Sequence, residues 1–183
     1  EYMHAVSRAV SYGIVTVPPF RGPRADGPVG RKAGERGLAL GGGMTQVLAM
    51  VRTFRARDSA TPVVLMGYAN PVERYDLKHG KDGFVRDAAA AGVDGLIVVD
   101  CPPEEAGPLA DALDSAGISL IRLATPTSDD ARLKVVVART SGFVYYVSVA
   151  GVTGVKEADA AAVAPHVQRV RKASGLPVAV GCG

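Results

Sequence analysis

Asp26 is a lone carboxylate in the Gly- and Pro-rich stretch Phe20 to Gly30, FRGPRADGPVG, which follows a short apolar run at Ile14 to Val17. A carboxylate at a strand exit is a residue type that can move protons, although Asp-Gly-Pro is first of all a turn former. A second candidate lies in Ser141 to Gly154, SGFVYYVSVAGVTG. Phe143 to Val147 is uncharged, β-branched and aromatic, which suits a strand covered on both faces, as in a parallel sheet. The run opens into Ser148, Gly151, Thr153 and Gly154, where glycines let backbone N–H groups approach an anion and the Thr153 hydroxyl can donate a hydrogen bond. A glycine loop after a strand is also ordinary turn chemistry. It is no P-loop, because no Gly-Lys-Ser/Thr follows, and it lacks the spaced glycines of a dinucleotide fingerprint.

Other chemistries are excluded by type and position. Cys101 and Cys182 are too few for a disulfide framework and fit a reducing cytoplasm, and neither stands at metal-ligand spacing. His4, His79 and His166 fall in or near predicted helices or a loop, which argues against histidine catalysis and against a metal site. The 21 basic and 18 acidic residues leave a charge of +3, with no tryptophan and 5% aromatics, so base-stacking platforms for nucleic acid are absent. The one basic cluster, Arg21, Arg24, Arg31, Lys32 and Arg36, reads as a solvated face able to attract an acidic ligand. No apolar run approaches the roughly 18 residues of a membrane span, and no signal peptide is expected. With 183 residues and 48% hydrophobic content, one domain over residues 1–183 is expected.

The elements that must position these groups alternate. A helix is predicted over Glu1 to Val10, a strand at Ile14 to Val17, and a loop over Phe20 to Gly30. Met44 to Arg57 carries Val47, Leu48, Val51 and Phe54 at helical spacing. Val63 to Gly67 is a strand whose exit, Tyr68-Ala69-Asn70-Pro71, is a polar turn. Glu73 to Asp82 reads as a charged, insertion-like segment before a helix at Gly83 to Ala91, stopped by Gly92. Strand Gly95 to Asp100 is followed by a helix predicted to start at Pro102-Pro103-Glu104-Glu105. Ser119 to Ala124 is the next strand, with Ser128, Asp129 and Asp130 capping the helix after it. A helix bearing Val163, Val167 and Val170 leads to a last strand, Pro177 to Val180.

Strand starts near residues 62, 95, 119, 142 and 177 are 33, 24, 23 and 35 apart, each interval holding one helix. That is the period of a parallel α/β fold, a (β/α)8 TIM barrel or a doubly wound sheet. About six strands are expected where a full barrel has eight, so an incomplete barrel, short of the first and last strands, is the expected architecture.

Several stretches, in order, resemble the alpha subunit of tryptophan synthase: Pro19-Phe20, Ala25-Asp26-Gly27-Pro28, Met66-Gly67-Tyr68-Ala69-Asn70-Pro71, Asp94 to Asp100 with Pro102-Pro103-Glu104-Glu105, Ala124-Thr125-Pro126-Thr127, and Gly142 to Gly154. The resemblance implies a (β/α)8 barrel that cleaves indole-3-glycerol phosphate to indole and glyceraldehyde 3-phosphate by a retro-aldol reaction. It implies no metal or organic cofactor, and a beta subunit as partner in a heterotetramer. By resemblance, Asp26 is the catalytic aspartate at the indole N–H and Tyr145 an active-site tyrosine. Met66, Tyr68 and Ile97 take indole-pocket positions, and Thr153 matches a loop threonine that positions the aspartate. Gly154 and Gly183 match phosphate-binding glycines, while Pro19 and Asn70 fall at the partner interface.

The chain also departs from that pattern. An ungapped count back from Asp26 puts the family's catalytic glutamate at Val15, and no acidic residue lies between Glu1 and Asp26. Gly22 stands for an aspartate and Arg21 for a serine, and about four extra residues fall around Asp76 to Lys81 by alignment estimate, where a loop can absorb them. Impaired activity is therefore expected. The competing reading is a non-catalytic alpha-like protein that binds or regulates a beta subunit; another phosphate-binding barrel enzyme would need several unrelated motifs to coincide.

Overall fold

The computed structural model describes residues 3, 13–19, 28–148 and 160–181. Among them, β1 (Ile14–Thr16), β2 (Val63–Gly67), β3 (Gly95–Val98), β4 (Ser119–Ala124), β5 (Val144–Val147) and β6 (Val178–Gly181) form one curled sheet. The strands lie in sequence order and every neighbouring pair is parallel. A doubly wound sheet would reverse its strand order at a switch point. The sequential order therefore decides for a barrel wall.

The described helices are α1 (Pro28–Ala39), α2 (Met44–Arg55), α3 (Ala69–His79), α4 (Gly83–Ala91), α5 (Gly107–Ser115), α6 (Asp130–Val137) and α7 (Ala160–Ser174). Alternation along each strand sends one set of side chains toward these helices and the other away. Leu65, Leu96 and Leu120 pack with Leu48, Val51, Phe54, Phe84 and Leu113 of the helices. Val144, Tyr146 and Ala124 form a second layer with Leu133 and Val170. A third cluster draws on no helix: Val64, Ile97 and Ile121, with Met66, Val99, Leu123, Phe143 and Tyr145 against them. It is the inner face of the wall.

Three expectations about elements need correction. The loop predicted for Phe20 to Gly30 ends early, because Pro28 opens α1, where its missing N–H costs nothing. Glu73 to Asp82 is not an insertion-like loop: α3 runs from Ala69 to His79. Only Val72 and Tyr75 of that helix are buried, too sparse a pattern to announce it. The Tyr75 hydroxyl donates to Asp87 Oδ2 at 2.9 Å, its ring stacks on His79 at 4.1 Å, and Asp76 Oδ1 accepts from the Phe84 N–H at 2.7 Å, starting α4. Asp76 to His79 thus complete a helix. Finally, Pro102 to Glu105 form a turn, with the Glu105 N–H donating to the Pro102 carbonyl at 3.1 Å, and α5 begins only at Gly107. Consecutive prolines push the residue before each of them out of helical geometry.

The opposite, N-terminal end of the sheet is clamped by Arg55. Its Nε donates to the Gly92 carbonyl at 2.8 Å, its Nη1 to Thr61 at 2.7 Å, and its Nη2 pairs with Asp94. Asp94 Oδ2 in turn accepts from the Val63 N–H at 2.7 Å, so one arginine ties the starts of β2 and β3 to α2.

Candidate active site

Parallel strands deliver their exits to one end of the wall, and on that end β2 and β3 build an apolar recess. Met66 and Ile97 are register partners on the inner face. With Tyr68, just past β2, they border a recess whose other walls include Leu65, Val72, Leu96 and Val98 of the helix-facing layer, so it lies mainly between these strands and the helices and not on the inner face. Its enclosed volume is only about 10 Å³, room for about one water. Ile97 is fully buried, and Met66 and Tyr68 are half-buried.

Tyr145 joins the same inner cluster from β5, without lining that recess. Its ring lies over the backbone of Gly181: a Cβ built there would sit 1.8 Å from Tyr145 Oη and 2.1 Å from Cζ. Only glycine leaves the room. The β5 and β6 exits are latched beside this ring, since the Ser148 N–H and hydroxyl both donate to the Gly181 carbonyl, at 3.0 and 2.9 Å.

Asp100, exposed in the turn after β3, has a use that its sequence position does not announce. Its Oδ1 accepts from the Ala69 N–H at 2.7 Å. It thereby caps the N-terminus of α3 from another loop, where Tyr68 supplies no side-chain cap. The β2 exit, with Tyr68 and Asn70, is held by the β3 exit. Glu104 follows, its carboxyl kept below the usual carboxylate value first by its own backbone N–H and then by Arg132, with which it pairs. Asn70 is exposed in the first turn of α3, and Pro19 is half-buried against Gly37 and Gly42.

Val15 pairs with Val64, so its side chain lies on the inner face, where it is 48% exposed. Asp26, Thr153, Gly154 and Gly183 lie outside the described residues. Among those described, no group of three or more His, Cys, Asp or Glu side chains could hold a metal ion, and no helix is long and apolar enough to cross a membrane.

A sequential parallel wall with helices on one face defines a (β/α)-barrel protein, a class whose sites lie at the strand exits. The family model for the tryptophan synthase alpha chain matches residues 3–183. A tryptophan synthase alpha chain of Phenylobacterium zucineum is 70% identical over 165 residues, 90% of this chain and 58% of that protein. One from Albidiferax ferrireducens is 55% identical over 187 residues, 100% of this chain and 68% of that one. The crystal structure of the alpha subunit from Legionella pneumophila superposes with a TM-score of 0.84 at 38% identity, over 99% of this chain and 65% of that one. The tryptophan synthase a2b2 complex from Pyrococcus furiosus gives 0.86 at 35%, over 100% of this chain and 71% of that one. The chain belongs to the tryptophan synthase alpha chain family, and it spans 58% of the length of the first of these relatives.

Proposed function

We propose that this chain works as a tryptophan synthase alpha chain, cleaving indole-3-glycerol phosphate to indole and glyceraldehyde 3-phosphate, with residues 1–183 as a single barrel domain. The observation that carries the reading is the inner face where Met66 and Ile97 stand side by side, with Tyr68 just past the β2 exit, in a chain of this family. An indole ring matches those apolar side chains, and the inner face continues to Tyr145.

In the proposed reaction a base takes the proton of the glycerol hydroxyl, the carbon–carbon bond to the ring breaks, and an acid protonates the indole carbon. Asp26 holds the indole N–H as charge shifts on that nitrogen. Thr153 positions Asp26, and the amides of Gly154 and Gly183 hold the phosphate. The Ser148 latch supports the last assignment, because it sets side by side the two strand exits from which the chain continues toward those glycines. A beta subunit is the proposed partner, meeting Pro19 and Asn70 near the strand exits. Support comes from the related Pyrococcus furiosus protein, which is described as an a2b2 complex.

Val15 favours a second reading, a non-catalytic alpha-like protein that regulates a beta subunit, since valine transfers no proton. The test is indole release from indole-3-glycerol phosphate with and without a beta subunit, in the native chain and in Asp26→Asn. Release that falls about 10²- to 10⁴-fold in the variant supports catalysis. No release, combined with altered turnover of the beta subunit on adding the chain, supports the second reading.

A further inference from the structure

Arg122 is out of keeping with its surroundings. Alternation on β4 turns it toward the helices, between Leu120 of one apolar layer and Ala124 of the other, and it is 5% exposed. Its Nη1 donates to the Cys101 carbonyl at 2.7 Å, while its Nε is buried with no partner. A buried guanidinium held this way is costly, and replacing such a group by an apolar side chain of similar volume is often neutral or stabilising. Stability alone does not explain an arginine here.

What it touches does. Cys101 adjoins Asp100, whose carboxylate caps α3 at Ala69, and Ala69 follows Tyr68, one of the residues proposed to face the indole ring. We propose that Arg122 is a positioning residue: by gripping the Cys101 carbonyl it fixes the β3 exit so that Asp100 holds the β2 exit, and with it Tyr68, in place for the ligand. The chain of contacts is Arg122 to Cys101, Asp100 to Ala69, and Ala69 to Tyr68. It crosses three successive strands, and it deepens the reading above, on which the ligand assignment rests.

The experiment compares the native chain with Arg122→Met and Arg122→Lys by hydrogen exchange at the Ala69 amide and by indole titration. Because the chain has no tryptophan, the fluorescence of indole itself reports binding. Losing a hydrogen bond to a charged group is expected to raise Ala69 exchange about tenfold in Arg122→Met and to weaken indole binding by a similar factor. The melting temperature should hold or rise, and Arg122→Lys should retain part of both effects. Asp100→Asn should also raise Ala69 exchange, and adding Arg122→Met to it should change little. Unchanged Ala69 exchange in Arg122→Met, or in Arg122→Lys should the first not fold, overturns the proposal. So does faster exchange with unaltered indole binding. A native chain that binds no indole contradicts the substrate reading instead, and the exchange measurement still decides whether Arg122 acts through Asp100.

Discussion

At Gly181 a single missing Cβ determines how the inner face is furnished, because the Tyr145 ring occupies the space a side chain would need. Gly181→Ala is expected to displace that ring and to cost about 1–3 kcal/mol, read by urea unfolding, with the Tyr145 ring resonances shifting. An unchanged midpoint and unchanged resonances would mean that the ring does not rest there. Such a demand was not legible in the sequence. Gly181 reads as the end of a strand, and nothing local says that a tyrosine 36 positions earlier lies over it. Asp100 is similar. As a carboxylate at a strand exit it was visible, but its use as the cap of α3 depends on a contact 31 residues away in the chain. Met66, Ile97 and Tyr68, by contrast, came as a group from the family resemblance; Met66 and Ile97 are register partners on the inner face, and Tyr68 follows the end of β2.

α3 is the element that sequence reasoning missed, and its pairing with the predicted α4 is held by polar contacts as much as by apolar ones. Asp87 is kept below the usual carboxylate value, first by the Tyr75 hydroxyl, against a smaller opposing effect of burial, and further by Arg86 and His79. Its contribution is therefore present above the unfolded carboxylate value, about 4, and is lost as pH falls through the lower folded one. Tyr75 is raised, first by burial and then by Asp87. Its contribution is full below about pH 10 and is lost as pH rises through the higher folded value. Tyr75→Phe should thus narrow the stability difference between pH 7 and pH 3, and between pH 7 and pH 11, in parallel urea titrations. Profiles parallel to the native one at both ends would show that the pair is not coupled.

Across the molecule, the two ends of the wall carry different burdens. The βα period made the parallel architecture legible, because each strand needs a helical crossover, whereas α1 and α3 were hidden by sparse or absent buried positions. At the strand starts, Arg55 bonds three carbonyls and Asp94 and covers Gly92, whose φ of +86° favours glycine. Arg55→Ala should destabilise the chain by about 2–3 kcal/mol in urea unfolding, leaving indole binding by the folded fraction unaltered. Equal losses in both would contradict this division. On the inner face the decisive position is Val15, exposed there where the family resemblance places a catalytic glutamate. The direct measurement is indole release from indole-3-glycerol phosphate by the native chain and by Val15→Glu, each with the same beta subunit. The glutamate should raise the rate about 10²- to 10⁴-fold over the native chain; native turnover already equal to that of the variant would contradict the assignment of Val15 and the impaired catalysis it implies.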